Sequence, residues 1–168
     1  SESTKTEDVK DNEQSQTRQS GDKIIMQQPV SGAVLNDYSG DNLVYSKTMQ
    51  DWRTHNGIDF AANEGDDVLA AADGTGEAIT DNGMFGKTII ILHDGGIRSI
   101  YSNLAEDAAV AVGDNVLCGS AIGKVGNTAA AEVSENSHLH FEVSVNEESV
   151  NPHDYLAVPQ TDSPDVQE

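Results

Sequence analysis

The chain has little of what would staple it, bind polyanions or cross a membrane. One cysteine, Cys118, stands in 168 residues, which excludes an internal disulfide framework and any metal site built from a cysteine cluster. Set in "NVLCGSAIG", it reads as a small residue in a strand. Lysine and arginine number 9 against 29 acidic residues, a formal charge of −20. A surface of that sign repels phosphate backbones and anionic lipid headgroups, which argues against nucleic-acid binding and against a polybasic membrane anchor. The acidity belongs to the body of the chain, because 20 acids and only 5 bases lie between residues 24 and 158. It fits a solvated surface or a basic partner. No apolar run approaches the roughly 20 residues that a bilayer-crossing helix needs, and no secretory signal pattern is present. Nor does any dozen-residue stretch repeat its apolar positions at the helical period, so helix is expected to be scarce.

What the chain does have is turn chemistry at close intervals. Gly65, Asp73-Gly74, Asn82-Gly83, Asp94-Gly95-Gly96, Gly113-Asp114, Gly119, Gly123 and Gly126 punctuate short β-branched runs, among them "DVLAA", "KTIIILH", "IRSIYSN", "VAVG" and "LHFEVSV". That spacing predicts an all-β, mainly antiparallel domain. The clearest hairpin is "KTIIILHDGGIRSIYSN". A turn at Gly95-Gly96 pairs His93 with Arg98 and Asn103 with Thr88, which leaves His93 about 17 Å from Asn103 at roughly 3.3 Å per residue. Residues 1–23 are almost wholly polar and read as a flexible linker, residues 24–158 as one domain, and residues 159–168 as a disordered tail.

Chemistry concentrates in two segments. In "SHLHFEVSV" the side chains of His138, His140 and Glu142 leave one face of a strand, because alternate residues share a face. In "THNGIDF" His55 and Asp59 are separated by three residues around Gly57. Each segment alone is commonplace. Together they supply two imidazoles and a carboxylate, a ligand mix that zinc accepts.

The order of "HNGIDFAANEGDDVLAAADGTG", "GKTIIILHDGGIRSIYSNL", "VAVGDNVLCGSAIGKVGNT", "HLHFEV" and "VNPHDYL" resembles the successive blocks of the lysostaphin-type (LytM, M23) zinc metallopeptidases, from about Pro29 to Leu156. The resemblance implies a single LytM-type β-sheet domain with a groove at its metal site. It implies His55, Asp59 and His140 as zinc ligands, His138 as a catalytic residue, and peptidoglycan peptides as the substrate class. Glu142 would then steady an imidazole from behind.

One departure bears on activity. Where the family carries a second catalytic histidine in a "YxHL" block, this chain reads "YSNL", with Asn103 in its place. Asparagine makes hydrogen bonds but exchanges no proton near neutral pH, so a loss on the order of 10²- to 10⁴-fold in rate is expected if that histidine acts in acid–base catalysis. His93 reads as a strand-end residue too far from Asn103 to substitute, and His153 as a loop residue. A second departure is the long acidic stretch "AAAEVSENS", with Glu132 and Glu135, whose residues 130–135 are expected either to cap the groove as a lid or to place a carboxylate near the metal.

"YSKTMQDWRTHNGID", "SIYSNL" and "GNTAAAEVSENSHLHFE" are similar to the branch of the family that contains stage II sporulation protein Q. That similarity implies an extracytoplasmic domain behind an N-terminal membrane anchor, docking a membrane protein of the stage III sporulation protein AH type. Two functions follow, a weakened peptidoglycan endopeptidase or a docking module that keeps zinc without catalysis.

Overall fold

The computed structural model describes residues 24–129 and 136–157. The expected linker at 1–23, the whole tail at 159–168 and the lid at 130–135 lie outside them. Twelve strands are present among the described residues: β1 Val34–Asn36, β2 Val44–Ser46, β3 Asp51–Arg53, β4 Ile58–Ala61, β5 Asp67–Leu69, β6 Gly74–Asn82, β7 Gly86–Leu92, β8 Ile97–Leu104, β9 Asn115–Val116, β10 Ala121–Lys124, β11 His138–Val145 and β12 Glu148–Val150. The only helical pieces among these residues are single 3₁₀ turns at Asp94–Gly96 and Pro152–Asp154, as the absence of helical periodicity predicts.

One antiparallel sheet carries the molecule, in the order β1-β4-β11-β8-β7-β6-β9, with β12 beside β11. Two small ribbons, β5-β10 and β2-β3, stand apart from it. Period-two alternation gives β11 two distinct faces. Leu139, Phe141 and Val143 go into the core with Ile58, Phe60, Ile89, Ile91 and Tyr101, while His138, His140 and Glu142 take the opposite face. On β4 the same alternation sends Ile58 and Phe60 to the core and Asp59 to the other side. Phe141 packs between Phe60 and Tyr101, at ring centroid distances of 6.3 and 5.4 Å. These aromatics fix the rise of β4 and β11 from beneath, so the functional face is built on rigid strands.

Three local expectations change. The β7–β8 turn uses the three residues Asp94–Gly96, so Leu92 rather than His93 pairs with Arg98. The register shifts again between Lys87 and Ile89. The cause is a bulge at Asn103, whose φ of 66° takes it out of strand conformation, and Thr88 meets Ser102 instead, at 3.0 Å between hydroxyls. "VAVG" forms no strand, because Val112 and Gly113 make the turn that leads into β9. Cys118 lies beyond β9, exposed, with its N–H donating to Asp73 Oδ1.

Candidate metal centre

Antiparallel pairing of β4 with β11 sets Asp59 directly opposite His140, and His138 opposite Ala61. His55 joins them from the loop before β4. Its approach depends on Gly57, where a Cβ would lie 2.5 Å from Phe141 O and 2.7 Å from Glu142 Cγ. Only a glycine lets the chain pass this close to β11, which gives "HNGID" its central residue. The ligand-type atoms of His55, Asp59 and His140 lie within 4.8 Å of one another. Two imidazoles and a carboxylate at this spacing fit a metal ion with three protein ligands and an open remaining position.

The hydrogen bonds fix the orientation of each group. His140 Nδ1 is 2.7 Å from Asp59 Oδ1, and its Nε2 is 2.9 Å from Glu142 Oε2. Glu142 thus holds the far side of an imidazole whose near side faces the centre. His55 Nε2 is 3.3 Å from Asp59 Oδ2, and its Nδ1–H donates to the Asp37 carbonyl at 2.9 Å. His138 donates from Nδ1 to the Asn136 carbonyl at 2.6 Å and turns Nε2 to within 3.9 Å of Asp59 Oδ1. Asp59, His138 and His140 are each 1% exposed. Burial raises the cost of ionising Asp59, but hydrogen bonds from His140 and His55, with their charges, outweigh it and hold the carboxyl well below the usual carboxylate range.

Asn103 lies in a different setting from the open groove. It is 3% exposed, and both polar atoms of its side chain are engaged. Nδ2 donates to the His138 carbonyl at 2.9 Å, while Oδ1 accepts from the N–H groups of Thr128 and Ala129, both at 3.0 Å. His93 belongs to a separate buried chain of hydrogen bonds. Its Nδ1 is 2.7 Å from the Asp73 carbonyl and its Nε2 is 2.8 Å from Ser99 Oγ, which is in turn 2.7 Å from the Tyr101 hydroxyl. His153 sits in the Pro152–Asp154 turn, with Nε2 2.8 Å from Asp37 Oδ1.

The centre opens into a groove of about 250 Å³. One wall is the β2–β3 ribbon, through Val44, Tyr45 and Arg53, and the other is the β6–β7 turn, through Met84 and Phe85. Phe85 stacks on His140 at 5.6 Å, and Tyr45 meets Trp52 edge-on, also at 5.6 Å. Sequence reasoning missed this ribbon and the segment Asn36–Ser39, which has no motif. Asn36 Nδ2 donates to Asp59 Oδ2 at 3.1 Å, and the His55 N–H donates to Ser39 Oγ at 2.7 Å.

Comparison with known proteins agrees with this geometry. Residues 53–152, well over half of the chain, match the family described as Peptidase family M23. The DD-carboxypeptidase/endopeptidase Mpg of Neisseria meningitidis serogroup B is 35% identical over 135 residues, covering 72% of this chain and 30% of that protein. Stage II sporulation protein Q of Bacillus subtilis is 32% identical over 105 residues, covering 61% of this chain and 36% of that protein. The chain therefore spans about a third of the length of these relatives. Among solved structures, that of the SpoIIQ-SpoIIIAH pore forming complex shares the fold, with a TM-score of 0.66 at 23% identity over 88% of this chain and 99% of that one. The chain belongs to peptidase family M23.

Proposed function

We propose that this is an extracytoplasmic zinc endopeptidase domain acting on peptidoglycan peptides, with turnover reduced by Asn103. The observation that carries the reading is the convergence of His55, Asp59 and His140 at the floor of an open groove, with His138 beside them. The three residues would hold zinc, whose accepted ligands include imidazole and carboxylate. When bound, zinc supplies Lewis acidity toward a peptide carbonyl and activates water. Glu142 fixes the ring of His140, and Asp37 fixes that of His55. His138, its Nδ1–H committed to Asn136, presents Nε2 as the atom that takes up or returns a proton, or hydrogen-bonds a developing oxyanion. The ribbon and the Phe85 turn give an extended peptide two apolar walls. Asn103 adds no proton transfer, and its hydrogen-bonding atoms are already engaged.

The engagement of Asn103 with three backbone groups favours a second reading, a docking module of the sporulation protein Q kind that keeps the metal and binds a membrane-anchored partner of the SpoIIIAH type. Release of muropeptides from purified peptidoglycan, read by mass spectrometry, separates the two. Cleavage by the unmutated chain that is lost in His55→Ala supports the peptidase. Silence in the unmutated, zinc-loaded chain contradicts it and moves the search to the partner.

A further inference from the structure

The metal centre has a support that the family motifs do not include. Residues 36–39, leaving the short and exposed β1, touch two of the three proposed ligands. Asn36 holds Asp59 through its side chain, and the Asp37 carbonyl accepts from His55 Nδ1. Ser39 exchanges hydrogen bonds with the backbone of His55, accepting at Oγ (2.7 Å) and donating from N–H to the His55 carbonyl (2.9 Å). This strap sets which nitrogen of His55 faces the centre. With Nδ1 held by a carbonyl, Nε2 is the ring atom that faces Asp59.

A strap with so little strand of its own needs a fixed point, and one arrives from 116 residues further along the chain. His153 Nε2–H donates to Asp37 Oδ1 at 2.8 Å, while the Tyr38 N–H donates to the same oxygen. His153 is itself placed by the 3₁₀ turn Pro152–Asp154, where its N–H donates to Asn151 Oδ1 at 3.0 Å. That turn is tied to the body of the protein where Leu156 bridges Met26, a fully buried core residue. A path of hydrogen bonds therefore runs from the C-terminal turn through Asp37 to the ring of His55.

We propose that His153 is a positioning residue for the metal site, clamping Asp37 so that its carbonyl holds His55 with Nε2 directed at the metal. The inference rests on the reading of His55, Asp59 and His140 as ligands. His153 lies about half exposed at the end of the path, so it contributes little to the core and its effect is carried through Asp37.

The test has two readouts on the full 168-residue chain. In the metal-free protein, long-range ¹H–¹⁵N correlation spectra report the tautomer of His55. The parent and His153→Gln, whose amide nitrogen replaces Nε2 as donor, are expected to hold the Nδ1–H form, while His153→Ala loses it. Zinc affinity, measured by competition with a chelating indicator, is expected to fall on the order of tenfold in His153→Ala, the low end for support behind a ligand, and to return in His153→Gln. The metal-free melting temperature should stay near that of the parent. An unchanged His55 tautomer and affinity in His153→Ala overturn the clamp. So does a lowered metal-free melting temperature with no rescue by His153→Gln, which would make the role structural. If the parent itself fails to bind zinc, the ligand reading falls, and the tautomer still decides whether His153 positions His55.

Discussion

Replacing Asn103 by alanine should destabilise the protein far more than a substitution in a peptidase groove would. The side chain holds three backbone groups, the His138 carbonyl and the N–H groups of Thr128 and Ala129, and Ala129 and His138 are 2% and 1% exposed. Leaving a buried backbone group unsatisfied costs about 1–3 kcal/mol. At the low end of that range, three such groups come to about 3 kcal/mol. The backbone adds to this, because φ at residue 103 is 66°, a conformation that asparagine tolerates and alanine resists by about 1–2 kcal/mol. The expected loss is about 4 kcal/mol, a large part of the roughly 5–15 kcal/mol that holds a domain folded. Urea unfolding followed by circular dichroism measures it, read as a shifted midpoint at constant slope. Asn103→Gly loses the same hydrogen bonds without the backbone strain and should fall about 1 kcal/mol less. A loss under about 1 kcal/mol in Asn103→Ala, or equal losses in the alanine and glycine forms, would refute the reasoning. The same geometry predicts that Asn103→His costs stability and gains no cleavage, because an imidazole cannot serve two N–H donors and a carbonyl at once.

Other perturbations test the remaining parts. Burial is the main force lowering the pKa of His93 below 6.5, only partly opposed by the Asp73 carbonyl and the charges of Asp94 and Asp73. The folded protein therefore binds fewer protons than the unfolded chain just below that pH, so the stability His93 contributes is complete above about pH 6.5 and lost as pH falls through its folded value. His93→Gln should flatten the stability profile in that window, as chemical denaturation at stepped pH will tell. Gly57→Ala forces a methyl to within 2.5 Å of Phe141 O. It should cost about 1–3 kcal/mol by overpacking and displace β11, with midpoint and zinc affinity falling together. Glu142→Ala removes the carboxylate that orients His140. Indicator competition should show zinc affinity about 10- to 100-fold weaker, and the metal-free protein should lose about 1–3 kcal/mol because a buried imidazole loses its hydrogen bond to a carboxylate.

Much of the site was readable in the chain because its signals are local. "HLHFE" places two imidazoles and a carboxylate on one face by strand alternation alone, and the structure brings Glu142 to His140 as that alternation implies. "HNGID" carries its own reason in Gly57, whose missing Cβ is what admits the loop. The strands "KTIIILH", "IRSIYSN" and "LHFEVSV" followed from β-branched runs between turn signals. What escaped were features set by distant partners or by single-residue irregularities. A three-residue turn moved the β7–β8 register by one, and the bulge at Asn103 moved it back. The hold of Asn103 on three backbone groups escaped, because its partners lie 25 to 35 residues away and its positive φ leaves no trace in composition. The strap at 36–39 and its tie to His153 escaped for the same reason, since no periodicity links residues 116 apart.

The most direct test of the metal centre is anomalous X-ray diffraction at the zinc edge from crystals of the zinc-loaded chain. The account predicts one strong peak bonded to His55, Asp59 and His140, with His138 beside it and not bound, and no peak in His140→Ala. A well-ordered site with no peak, or zinc held by other residues, would contradict it.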